Sequence, residues 1–116
     1  MQKFKQIVII IVMALGVSFV ADSAVFGACR NTICVGEIQR LYMTSATSLY
    51  IATDGDESVL NCSSPANRYL TMSTDEPNFN RKYAMLLTAM STKMRVGLRI
   101  IENSRNCSVS YIYMDQ

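Results

Sequence analysis

The sequence has 116 residues, a formal net charge of +2, and neither histidine nor tryptophan. Near-neutral charge gives no basic footprint for nucleic acid, and the missing histidine removes the commonest general base and metal ligand. Apart from an N-terminal leader, the chain has enough residues for one small core and no more.

The chain begins with Lys3 and Lys5, then an apolar run over 7–20, then small residues. This is the order of a secretory signal peptide, expected over 1–23, with the remainder, 24–116, as one domain. The apolar run falls short of the roughly 20 residues that cross a bilayer, so no membrane span is expected after cleavage. Ala-Asp-Ser ending at Ser23 and Val-Phe-Gly ending at Gly27 both satisfy the small-residue rule for cleavage. A lipoprotein reading, with lipid on Cys29 after Phe-Gly-Ala, would leave an odd number of cysteines in an oxidising compartment. The expected location is therefore secreted or periplasmic.

The first strand is predicted over 34–43 (CVGEIQRLYM), with Thr-Ser-Ala-Thr-Ser after it as a turn. A second strand covers 49–53 (LYIAT), and Asp54-Gly55-Asp56 signals a reverse turn. The third strand runs back over 58–62, is interrupted by Ser-Ser-Pro-Ala-Asn, and resumes over 68–72 (RYLTM). The hydrophobic period then changes. Asp75-Glu76-Pro77-Asn78 is a helix-start signature, with acidic residues and proline early and Asn78 as cap. Tyr83, Leu86, Leu87 and Met90 follow at i, i+3, i+4 and i+7, the spacing of one helix face turned to the core. Ala84, Met85 and Ala89 widen the apolar surface and are candidates for a subunit interface. Ser91-Thr92-Lys93 forms the corner, with Lys93 at the negative end of the helix.

From Met94 the period is two: Met94, Val96, Leu98 and Ile100 on one face, Arg95, Gly97 and Arg99 on the other. A turn over 102–106 leads to the last strand, 107–114 (CSVSYIYM). Three strands, a helix and two strands is the order of a five-stranded OB-fold Greek-key barrel, mainly β with one helix that plugs an open end. An α+β sandwich with the helix across one sheet is the competing arrangement.

Four cysteines, Cys29, Cys34, Cys62 and Cys107, form an even set in a small exported domain, which reads as two disulfides. The layout pairs Cys62 with Cys107 across the helix and Cys29 with Cys34 locally. No C-x2-C knuckle points to zinc, and neither a metal nor a cofactor is expected. The repeated tripeptide Asn-Cys-Ser at 61–63 and 106–108 matches a glycosylation sequon in form alone.

Chemistry is sparse. Nucleophilic catalysis wants a serine or cysteine beside a base, and the usual base is absent, so no catalytic residue is assigned and no enzyme is expected. Asp54, Asp56 and Glu57 read as a solvated turn before they read as paired carboxylates or a calcium loop. Arg95 and Arg99 on the fourth strand, with Tyr111 and Tyr113 on the fifth, are the candidate binding surface. A nucleic-acid partner is not expected there, because the charge is too low.

The segment Val35-Gly36-Glu37-Ile38, the tyrosine-bearing helix 83–90 and the Val96–Ile100 strand together resemble the B subunits of AB5 toxins, nearest to those of subtilase cytotoxin and typhoid toxin. The resemblance spans about 34–114. It implies a pentameric ring with the helices lining a central pore and a glycan or protein partner on the outer surface. Two other readings stand beside it. One is a monomeric periplasmic OB-fold protein binding a small ligand or partner; the other is a small secreted structural or inhibitor protein.

Overall fold

A computed structural model describes residues 26–115, so the expected leader at 1–23 lies outside the described residues. The described chain is mainly β with one helix. Seven strands form in order: β1 (Ala28–Arg30), β2 (Ile33–Gly36), β3 (Ile38–Met43), β4 (Ser48–Thr53), β5 (Leu70–Ser73), β6 (Val96–Ile100) and β7 (Val109–Met114). The helix α1 (Phe79–Thr92) lies between β5 and β6. The strands make two antiparallel sheets, β1-β2-β6-β7 and β3-β4-β5.

The single first strand expected over 34–43 is two strands. The chain leaves one sheet and enters the other at Glu37, whose backbone is tied to both the side chain and the backbone of Asp54. Glu37 N–H donates to Asp54 Oδ1 at 3.0 Å, and Asp54 N–H donates to the Glu37 carbonyl at 3.1 Å. The Asp54 carboxylate sits where a side chain at Gly36 or Gly27 would project, so only glycine admits this approach. The two sheets meet again at Thr71, which makes one parallel bridge to Ser108 and donates its N–H to the Cys107 carbonyl at 3.0 Å. One bridge is not a ladder. Among the described residues the sheets form no closed barrel, in contrast to the five-stranded closure expected from the element order.

The third strand is also shorter than its hydrophobic pattern. Its first half, expected over 58–62, is a 3-10 turn at Glu57–Val59, and a second turn at Pro65–Asn67 follows. Asp56 caps the first turn, with Oδ1 accepting from Ser58 N–H at 3.0 Å, and this local bond competes with strand pairing. Ala66 and Asn67 have φ of 53° and 54°, which ends extended backbone until Leu70. The last strand likewise starts at Val109 and not at 107, because Cys107 adopts φ 48°.

Both disulfides span structural joints. Cys29–Cys34 links directly opposed residues of β1 and β2. Cys62–Cys107 ties the loop before β5 to the loop before β7, beside the Thr71 seam. The core combines Leu49 and Ile51 of β4, Leu70 and Met72 of β5, Leu98 and Ile100 of β6, and Leu86 of α1, all essentially inaccessible to solvent.

The helix begins after Asn78 and stops at Lys93, which takes a left-handed conformation with φ 55°. Its N–H bonds back to the Ala89 carbonyl, a left-handed cap normally filled by glycine. Lys93→Gly removes the Cβ penalty of that conformation and is expected to raise stability by about 0.5–1 kcal/mol, read as a higher denaturant midpoint at unchanged slope.

The inward face of α1 differs from the stripe read off the sequence. Phe79, Leu86 and Ala89 are buried, whereas Leu87 and Met90 are 42% and 40% exposed. The helix touches β7 and β3, and that docking sets its rotation. Ala89, expected at a subunit interface, is in the core; Met85 is half-buried, and of the three only Ala84 is exposed. Tyr83 stacks on Phe79 at 5.6 Å, extending the core toward the helix start.

Candidate functional site

Cross-strand register brings the four expected surface residues onto neighbouring strands. Arg99 on β6 pairs directly with Tyr111 on β7, and Gly97 pairs with Tyr113. A side chain at Gly97 would collide with the Tyr113 ring, so the ring lies across the bare glycine backbone and is held there. Tyr111 is 49% exposed, while Arg99, Tyr113 and Arg95, one residue before β6, are half-buried. Two residues apart on a strand, Arg95, Gly97 and Arg99 share the outward face.

The second sheet carries a feature that sequence reasoning missed. Tyr42 on β3 stands opposite Tyr50 on β4, with ring centroids 5.8 Å apart and planes at 65°. Tyr50 in turn lies 5.5 Å from Tyr69, just before β5, at 36°. Arg40, two residues before Tyr42 on the same side of β3, donates from Nη1 to the Tyr69 hydroxyl at 3.1 Å. The result is a row of three tyrosines braced by a guanidinium, on the side of the sheet away from buried Leu49 and Ile51. The only sequence signal was the alternation Arg40/Tyr42 and Leu49/Tyr50/Ile51, which identifies an outward face on each strand. Which strands pair, and in which register, was not in that signal.

The acidic residues near the β4 turn divide into separate structural roles. Asp54 holds the β2–β3 bend, and Asp56 caps the 3-10 turn. Glu57 is 3% exposed and accepts from Thr53 N–H at 2.5 Å and the Thr53 hydroxyl at 2.8 Å. The Ser58 hydroxyl, followed by its backbone N–H, holds the Asp56 carboxyl below its usual range. These carboxylates point to different partners, and no group of three metal-ligating side chains gathers among the described residues. An open cavity of about 500 Å³ beside them is lined by Phe26, Glu37, Gln39, Thr53, Asp54 and Arg68. All four cysteines are bonded, so none offers a thiol.

Among the described residues, no helix is long and apolar enough to cross a membrane. No protein-family model, curated protein or solved structure matches the chain.

Proposed function

We propose that the chain is an exported, non-enzymatic binding protein of the OB type, similar in plan to toxin B subunits, that engages a saccharide on its tyrosine row. The strand connectivity supports the OB part of this reading. If β2 and β3 count as one bent strand, the order β3-β4-β5 continues through the Thr71 seam into β7-β6-β2, the Greek-key circuit of that barrel. Two disulfides in so small a chain support an oxidising compartment, secreted or periplasmic.

The observation that carries the reading is the Tyr42–Tyr50–Tyr69 row with Arg40. Tyrosines supply rigid apolar rings for the C–H faces of sugars and hydroxyls for their oxygens, and the bound guanidinium keeps the row ordered before a ligand arrives. On a glycan array the exported chain is expected to bind, and Tyr42→Ala or Tyr50→Ala should each weaken binding about tenfold, the equivalent of one lost ring contact. Array signal that persists unchanged in both variants refutes the site.

Assembly into a ring is the accompanying proposal, with Ala84, Leu87 and Met90 as the exposed apolar helix surface available to a neighbour. Light scattering after size exclusion tests it, and a mass equal to one chain removes the ring. A monomeric binding protein is the second reading. It is favoured by Ala89, whose burial within the chain narrows the helix surface left for a neighbour.

A further inference from the structure

We propose that the outer face of the β1-β2-β6-β7 sheet docks an extended acidic segment of a partner protein, anchored by one aliphatic side chain. Register lines up two outward rows across all four strands. Arg30, Ile33, Arg99 and Tyr111 make the first; Ala28, Val35, Gly97 and Tyr113 make the second. Neighbouring strands lie about 4.8 Å apart, so Arg30 and Arg99 stand roughly 10 Å apart with Ile33 between them.

Three properties of this face select the partner. The first is charge: neither row contains a carboxylate, and the one ion pair among the described residues is Lys82–Glu76 on another part of the molecule. Arg30, Arg95 and Arg99 thus have no acidic partner among the described residues, and guanidinium groups take carboxylates through two parallel hydrogen bonds. The second is shape. A groove of about 250 Å³ is lined by Ala28, Arg30, Ile33 and Val35, an aliphatic floor with a cation at its rim. Such a concavity receives a projecting side chain, whereas a bilayer surface is met by a convex one. The third is rigidity. The Tyr113 ring packed on Gly97 and the Cys29–Cys34 bond hold both ends of the face, so little ordering remains to be paid on binding.

An extended segment places alternate side chains on one side about 6.8 Å apart. A carboxylate, an aliphatic residue and a second carboxylate at i, i+2 and i+4 follow the order of Arg30, the Ile33/Val35 groove and Arg99. They span about 13.6 Å against roughly 10 Å between the two arginine backbones, and the long arginine stems splay outward across the difference. The central apolar contact supplies holding energy, and the flanking arginines supply encounter rate and selectivity. This face lies on the other sheet from the tyrosine row and does not depend on the saccharide reading.

The test uses the exported chain and the synthetic peptide Ser-Glu-Ser-Leu-Ser-Glu-Ser, with two controls: lysine for both glutamates, and alanine for the leucine. Binding by fluorescence polarisation is expected for the acidic leucine peptide, about tenfold weaker for the alanine control, and absent for the lysine control. It should weaken as salt is raised. Arg99→Ala and Arg30→Ala should each lower affinity about tenfold, with Arg99→Lys between wild type and Arg99→Ala. Circular dichroism and a non-reducing peptide map confirm that each variant keeps its fold, and exposed Arg30 serves where Arg99 variants do not. Equal binding of the lysine peptide, or unchanged affinity in the Arg30→Ala/Arg99→Ala double variant, overturns the proposal. Binding to phosphatidylglycerol vesicles with none to the peptide also overturns it and assigns the face to lipid.

Discussion

Replacing Cys62 and Cys107 by alanine is expected to cost about 4 kcal/mol, the chain-entropy value for a cross-link between residues 45 apart. A chain of this length has a total stability of roughly 5–10 kcal/mol, so about half of it is at stake. The bond also fixes the Thr71 seam. The Thr71 N–H and hydroxyl donate to the carbonyls of Cys107 and Asn106, at 3.0 and 2.8 Å, and Ser63 N–H donates to the Ser104 carbonyl at 3.0 Å. The Cys29→Ala/Cys34→Ala pair is the control. Its residues are 5 apart, and the same estimate gives about 2 kcal/mol. Each bond has one fully buried sulfur residue, Cys107 or Cys34, so the packing loss is matched and loop length is what differs. Guanidinium denaturation of the two double variants compares them directly. Equal losses would mean that loop length does not set what each bond contributes.

Leu86→Ala is expected to cost about 2–5 kcal/mol, and Leu87→Ala less than about 0.5 kcal/mol. The two residues are adjacent and chemically identical, and in the sequence both belong to the same apolar stripe. In the folded chain Leu86 is inaccessible to solvent and leaves a cavity when truncated, while Leu87 is 42% exposed. Midpoints from urea titration at unchanged slope separate the two. Similar losses would show that the helix is rotated from the arrangement described above. In a ring, Leu87→Ala would instead lower the assembled mass while leaving the stability of one chain intact, so the same variant reports on assembly.

The helix shows how far the sequence reaches. The change from period 3.6 to period 2 located its end, and placed the following strand from Met94, two residues before β6 begins at Val96, because that period is a local property of consecutive residues. It could not set the rotation of the helix. Tyr83, Ala84, Met85, Leu86, Leu87, Ala89 and Met90 are apolar around much of the circumference, and several rotations bury comparable area. Contact with β3 and β7 selects the one that buries Phe79, Leu86 and Ala89. The first strand shows the same limit. Its pattern reads as continuous through Glu37, but Asp54, 17 residues away, breaks it by accepting the Glu37 N–H.

The candidate surfaces divide along the same line. Arg95, Arg99, Tyr111 and Tyr113 were legible because strict alternation on one strand names its outward face, and the next strand is its hairpin partner. The Tyr42–Tyr50–Tyr69 row needed the pairing of β3 with β4 and the bracing of Tyr69 by Arg40, 29 residues apart. The rows on the other sheet needed β2 beside β6, a pairing that crosses most of the chain.

Near-neighbour patterns and counts in the sequence were enough to set one helix between strand-rich segments, to break the chain after β4 at Asp54-Gly55-Asp56 and to give an even set of cysteines; β1 and the 3-10 turn that buries Glu57 were not in them. The tertiary structure alone decided which helix side is core, where the first strand bends, and which rings and arginines meet. Those outcomes depend on register and docking between distant segments, and a one-residue slip in register would turn every side chain of a strand to the opposite face.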